Sequence, residues 1–125
     1  IFFRYKVFYD NTQEAISKLR EMDSSLDEIN NILIRLKEIA VKGSNGTYER
    51  NDLKKMAYEV NELLKEIVRV SNQKGSDGKY LFAGSNNTEM PFRTIYDIFS
   101  IGRRKDIITR VEYNGDVSPI KREVS

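Results

Sequence analysis

The chain has 125 residues, with 21 basic and 19 acidic side chains and no cysteine, histidine or tryptophan. These counts exclude disulfide frameworks, zinc sites built from cysteine or histidine, and catalytic couples that need a thiol or an imidazole. A net charge of +2 gives no reason to expect nucleic acid or an anionic membrane as a partner. We therefore expect no catalytic residue, no cofactor and no metal. The first residue is not methionine, which indicates a piece of a longer protein.

The first forty residues predict one long helix. Apolar or small side chains recur at alternating steps of four and three from Ile1 to Ala40, and no proline or glycine precedes Gly43. Beside this heptad pattern lies a second apolar line, which consists of Ile16, Ile32 and Ile39. Such a wide apolar face is typical of a helix with more than one neighbour. We expect a rod that packs in a bundle.

A turn and a second helix follow. Lys42 and Gly43 suit the C-terminal end of a helix, and Gly46 tolerates a positive φ. Residues 49–72 again show steps of three and four, and a short connection makes the two helices antiparallel neighbours. The predicted seam between them is formed by Leu26, Ile29, Leu33 and Leu36 on the first helix and by Val60, Leu63 and Ile67 on the second.

Helical periodicity ends after residue 72. Residues 75–78 read as a turn, and residues 79–84 as a short aromatic strand. Aromatic side chains offer a large apolar area, so we expect Tyr80 and Phe82 to anchor the following residues on the end of the rod. Residues 91–101 show no clean period and are predicted to be irregular.

A β-hairpin is predicted at the end of the chain. Residues 106–113 alternate in part, Asn114-Gly115 is a strong hairpin turn, and residues 119–124 supply the returning strand. The predicted fold is α+β and mainly α: a long antiparallel helical hairpin at 1–72 that carries a small head at 73–125.

Asn30 and Asn31 are poor helix formers inside the first helix. Two interpretations stay open. These side chains contact a neighbouring subunit, or they are tolerated on a solvated surface.

Three motifs resemble the flagellin superfamily. Residues 33–47 resemble its signature Arg-x-x-Glu-Leu-Ala-Val-Gln followed by a small pair and Asn-Gly-Thr, with Ile39 and Lys42 in place of the usual Leu and Gln. Residues 66–72 resemble the end of the family's second helix. Residues 78–84, followed by Pro91-Phe92, resemble the Gly-x-Tyr-Leu-Phe-x-Gly stretch of the superfamily's hook-filament junction branch.

The resemblance implies a structural role and no enzymatic activity. The family's extreme N-terminal helix and its C-terminal helix have no counterpart here, so an incomplete flagellin-type bundle is expected. The junction branch joins hook-associated proteins to the flagellin filament, which implies type III export and an extracellular location at the junction. Expected partners are further copies of the chain, a neighbouring hook-associated protein, flagellin and an export chaperone.

The resemblance also implies a set of contact residues. The region that packs between protofilaments corresponds to a patch formed by Arg35, Glu38, Ile39 and Glu66, and Asn30 and Asn31 join it as subunit-contact candidates. Two other functions stay open: a flagellin filament subunit, and a helical-hairpin binding module such as a secretion chaperone, which would take up a partner's amphipathic helix.

Overall fold

The structure is a computed structural model that describes residues 1–85, 88–96 and 107–115. It contains two helices and two strands in the order α1 (Phe2–Asn45), α2 (Arg50–Ser71), β1 (Phe92–Tyr96) and β2 (Ile108–Tyr113). The predicted mainly helical α+β class is confirmed. The predicted division into a rod at 1–72 and a head at 73–125 stays a prediction.

The two helices form the predicted hairpin and differ in length by a factor of two. α1 has 44 residues and α2 has 22, which gives lengths of roughly 66 and 33 Å. α1 ends at Asn45, inside the segment 42–47 that was predicted to stop it. Gly46 follows with an extended backbone at φ −101°, and its N–H donates to the Lys42 carbonyl at 3.2 Å. Within the described part of the chain, neither helix has an apolar stretch that could cross a membrane.

The structure corrects the predicted seam on α1. Ile39 is only 5% exposed, whereas Leu26 and Leu33 are 52% and 50% exposed. We call residues that are spaced by seven along α1 a column. Successive residues of a helix are rotated by about 100°, so the column of Leu26 and Leu33 lies next to the column that contains Ile39. The buried column contains Lys18, Ser25 and Ile39, which are spaced in multiples of one heptad, with the half-buried Ile32 between them. The other predicted seam residues are half-buried: Ile29, Leu36, Val60, Leu63 and Ile67.

The predicted turn at 75–78 is present and brings the chain back against α1. The Gly75 N–H donates to the Lys79 carbonyl at 2.8 Å. A Cβ on Gly75 would lie 2.6 Å from the Glu21 carboxylate, so a larger residue here would have to displace the end of that side chain. Gly78 has φ +78°, a conformation that glycine adopts without strain. Two glycines therefore let this turn form directly on the surface of α1.

The predicted strand at 79–84 is wrong. Tyr80 makes a single bridge with Lys74, and the chain then turns through residues 81–85. The turn carries Leu81 and Ala83 inward, where both are buried. Packing of these two side chains replaces the extended conformation that the aromatic composition favours.

The two strands form an antiparallel pair that the sequence did not predict. Phe92 lies opposite Tyr113 and Thr94 opposite Val111, with an irregularity in register after Ile95. The prediction of irregular structure from residue 91 is therefore wrong for β1. The predicted returning strand at 119–124 lies outside the described residues, and β2 pairs with β1.

Two asparagines of the α2 region fasten this strand pair. Asn72 follows the last residue of α2, and its side chain accepts a hydrogen bond from the Phe92 N–H at 2.8 Å and donates one to the Phe92 carbonyl at 2.9 Å. The Asn61 side chain accepts a hydrogen bond from the Ile108 N–H at 3.0 Å. The first residue of each strand is thus hydrogen-bonded to an asparagine side chain in α2 or directly after it. A small core lies at this end of α2 and contains Val70, Leu81, Ala83 and Pro91.

Because Ile39 is buried and Leu33 is half exposed, truncating these two side chains to alanine should destabilise the chain by different amounts. Ile39→Ala should lower the free energy of unfolding by about 2 to 5 kcal/mol, because it leaves a cavity at a buried position. Leu33→Ala should cost much less, since half of that side chain already contacts water. Urea unfolding of both variants measures the difference, and equal losses would contradict the assignment of the buried column.

Asn72→Ala should destabilise the chain by about 1 to 3 kcal/mol, because it removes both hydrogen bonds to Phe92 and leaves part-buried backbone groups unpaired. Asn51→Ala is the matched control, since Asn51 is exposed in the first turn of α2. Amide exchange at Phe92 should accelerate in the first variant alone. Unchanged exchange at Phe92 would show that Asn72 does not hold β1.

Candidate functional site

An ion-pair cluster spans the two helices on the surface of the hairpin. The Arg35 guanidinium on α1 donates to the Glu59 carboxylate on α2 through Nε at 3.0 Å and Nη2 at 2.8 Å. Its Nη1 lies 3.4 Å from the Glu38 carboxylate. These hydrogen bonds, first that of Glu59, raise the pKa of Arg35 above its usual value. The side chains are about half exposed, so the cluster contributes little stability and is accessible to a neighbour.

Glu66, a predicted member of the same patch, belongs to another pair. Its carboxylate accepts hydrogen bonds from Arg69, one turn further along α2. These hydrogen bonds lower the pKa of Glu66 below its usual value. The structure therefore brings Arg35 and Glu38 together as predicted, and it adds Glu59, whereas Glu66 pairs separately.

The remaining contact candidates differ in accessibility. Asn30 and Asn31 are exposed on α1, where a neighbouring molecule could reach them. Ile39 is buried, so its prediction as a subunit contact conflicts with its place in the buried column between the helices. In the sequence, Ile39 lies on the second apolar line with Ile16 and Ile32, and this line was the signal that Ile39 is buried. The subunit-contact role of the exposed candidates stays a proposal.

A row of exposed leucines runs along α1. Leu19, Leu26 and Leu33 are spaced by one heptad, and each exposes half or more of its area. We call them the leucine line. A continuous apolar row of this kind marks a surface that another protein segment covers.

The two predicted anchor residues lie where the chain leaves α2. Tyr80 is half-buried, and its ring centroid lies 5.1 Å from the Lys74 ammonium. Phe82 is also half-buried, and its carbonyl accepts a hydrogen bond from the Tyr113 hydroxyl at 2.8 Å. The side chain of Leu81, between them, is buried. An anchoring role for Tyr80 and Phe82 stays a prediction, and Leu81 is the member of this stretch that the sequence interpretation missed.

Sequence reasoning also missed the polar contacts between α1 and the segment after α2. The Ser25 hydroxyl donates to the Gln73 side chain at 2.7 Å, and the Lys18 ammonium lies 3.7 Å from the Asp77 carboxylate. The Glu21 carboxylate accepts a hydrogen bond from the Ser76 N–H at 3.1 Å. One signal was available: Lys18 and Ser25 are polar residues in the heptad column of Ile39. Along this column, the polar residues Lys18 and Ser25 lie where the segment after α2 covers α1. The apolar residues Ile32 and Ile39 lie where α2 covers it.

The described surface offers groups that another molecule could contact. In residues 1–85, 88–96 and 107–115, no three carboxylates are grouped so that they could hold a metal ion. The charged side chains described above are engaged in ion pairs on the surface of the hairpin. What the described surface can supply to another molecule is a set of ion-pairing groups and an apolar row along α1.

Comparison with known proteins identifies the helical part of the chain. The family model of the bacterial flagellin N-terminal helical region matches residues 4–87. The phase 1 flagellin of Salmonella naestved and the flagellin of Salmonella dublin are each 36% identical to the chain over 80 residues, which is 64% of the chain and 16% of each flagellin. The chain thus spans about a sixth of the length of these relatives.

Solved structures extend the likeness beyond the helices. A crystal structure of Xanthomonas campestris FlgL matches 94% of the chain and 34% of FlgL, with a TM-score of 0.77 and 27% identity. A second crystal form of the same protein matches 90% of the chain with a TM-score of 0.75 and 26% identity. The family model alone covers more than half of the chain. The chain therefore belongs to the family of the bacterial flagellin N-terminal helical region.

Proposed function

We propose that the chain is part of a structural subunit of the bacterial flagellum that joins hook-associated proteins to the flagellin filament. The extent of the likeness to FlgL carries this proposal. The flagellin family model ends at residue 87, before β1 begins at Phe92. A match over 94% of the chain has to include residues beyond that point, and therefore supports a junction protein over a filament subunit.

The geometry of α1 supports an assembly role without catalysis. On α1 the column of Ile39 is covered and Ile29 and Leu36 are half-buried beside it, whereas the leucine line stays exposed. A helix with apolar residues in two adjacent columns stabilises a bundle of three or more helices. The leucine line is the surface that a further helix, from outside the described residues, covers in the complete subunit.

The same proposal places the protein outside the cell. As a flagellar component it passes through the type III export apparatus and takes its position between the hook and the filament. Its partners there are further copies of itself, a hook-associated protein and flagellin, and an export chaperone accompanies it before secretion. The family membership of the chain supports an extracellular flagellar location, and the likeness to FlgL supports the junction.

Labelled microscopy of the full-length protein tests the location. We expect an epitope-tagged protein, expressed in its own flagellated cells, to appear on sheared flagella as a single band at the hook end. A label along the whole filament would identify a flagellin subunit instead. A protein that stays in the cell and is absent from flagella would be a binding module of the chaperone kind, and the proposal would be wrong.

Charge exchange tests whether Arg35 contacts a neighbouring subunit. In the full-length protein, Arg35→Glu should impair junction assembly while the helical content stays unchanged, because exposed ion pairs contribute less than about 1 kcal/mol to stability. The double variant Arg35→Glu/Glu59→Arg restores an ion pair within the hairpin but moves the positive charge to α2. We expect it to assemble as poorly as the single variant. Recovery of assembly in the double variant would show that Arg35 acts only within its own chain.

A further inference from the structure

A lysine ammonium is buried where the turn at 75–78 lies on α1. Lys18 is 8% exposed, and its ammonium has no hydrogen-bond partner among residues 1–85, 88–96 and 107–115. It forms an ion pair with the Asp77 carboxylate at 3.7 Å, a separation longer than a hydrogen bond. Lysine is almost never fully buried in proteins unless it is well paired. The place of this lysine therefore needs a reason other than stability.

The ion pair offsets little of the free energy that this burial costs. The Asp77 side chain is 32% exposed, so water weakens its attraction for the ammonium. An apolar side chain of similar length in place of Lys18 would therefore leave the chain equally stable or make it more stable. The rest of the column supports this comparison, because Ile32 and Ile39 are the residues that α2 covers.

The segment after α2 has more than one set of residues that could contact α1. Residues 73–85 include the apolar residues 80–82, and Asp77 is the only acidic residue among them. An apolar side chain in place of Lys18 would pack on any of the residues 80–82, because hydrophobic contacts are not directional. A buried ammonium excludes them, since it would lose its hydration without gaining a partner. Charge therefore distinguishes one way of docking from the others.

We propose that Lys18 determines where the segment after α2 docks on α1. Its buried ammonium selects the turn that carries Asp77 and excludes residues 80–82, and it does so at a cost in stability. Specificity of this kind comes from making the alternative contacts unfavourable. Lys18 is thus a positioning residue, because the docked turn sets the direction in which the chain continues towards β1.

The charges around the ammonium support this selection. A cavity of about 400 Å³ lies between α1 and the turn, and its walls include three carboxylates: Glu14 and Glu21 on α1 and Asp77 on the turn. Lys18 is the only cation among the described residues that line this cavity. Without the ammonium, Asp77 would enter a site whose other charges are both negative. The Ser76 N–H donates to the Glu21 carboxylate at 3.1 Å and holds the turn at this height on α1.

Hydrogen exchange in the full-length protein tests the positioning role. In Lys18→Met, we expect the amides of residues 75–81 to exchange at least tenfold faster, because the turn loses its defined place on α1. The amides of α2 around Val70 should keep their exchange rates, since the small core there does not contain Lys18. Lys37→Met is the matched control, because Lys37 is exposed on α1 and undergoes the same chemical change. Unchanged exchange at 75–81, or equal acceleration throughout α2, would overturn the proposal.

Urea unfolding of the same protein tests the cost in stability. Asp77→Asn removes the charge and keeps a side-chain oxygen for the Lys79 N–H, which donates to the Asp77 carboxylate at 3.0 Å. This variant should have a lower urea midpoint, because the buried ammonium loses its counter-charge. Lys18→Met should keep or raise the midpoint, and adding Asp77→Asn to it should have little further effect. If the midpoint falls as far in Lys18→Met as in Asp77→Asn, Lys18 is an ordinary stabilising residue and the proposal is wrong.

Discussion

The burial of one column of α1 against α2 is the constraint on which the rest of the structure depends. α2 is half as long as α1, and a helix that packs on another covers a single stripe of it. With Ile39 in the contact, the leucine line is turned about 100° away and stays exposed. The choice of column therefore decides both how the hairpin closes and which surface is left for assembly.

The same column guides the chain after α2. Beyond the end of α2, the column of Ile39 continues on α1 with Ser25 and Lys18, which contact Gln73 and Asp77. These polar contacts set the turn on α1, and Asn72 then fixes the beginning of β1 beside the end of α2. The strand pair is thus positioned by hydrogen bonds to side chains more than by a large core.

Local features of the structure could be predicted from the sequence, and non-local ones could not. The two helices and the turn at 75–78 depend on periodicity and on glycine, which act within a few residues. The choice between the columns of Leu33 and Ile39 depends on where α2 lies, and both columns are apolar from residue 32 onward. β1 depends on pairing with a strand that begins more than ten residues later. Of the candidate surface, Arg35 and Glu38 were predicted through a family motif, whereas the partner of Arg35 on α2 follows only from the hairpin geometry.

Thiol labelling of single cysteine variants of the otherwise cysteine-free chain tests the choice of column most directly. In the isolated chain, we expect the thiol of Leu33→Cys to react with a maleimide at nearly the rate of an unfolded control, and the thiol of Ile39→Cys to react at least tenfold more slowly. In assembled flagella, Leu33→Cys should become protected as well. Equal rates for the two thiols in the isolated chain, or faster labelling of Ile39→Cys, would contradict the account.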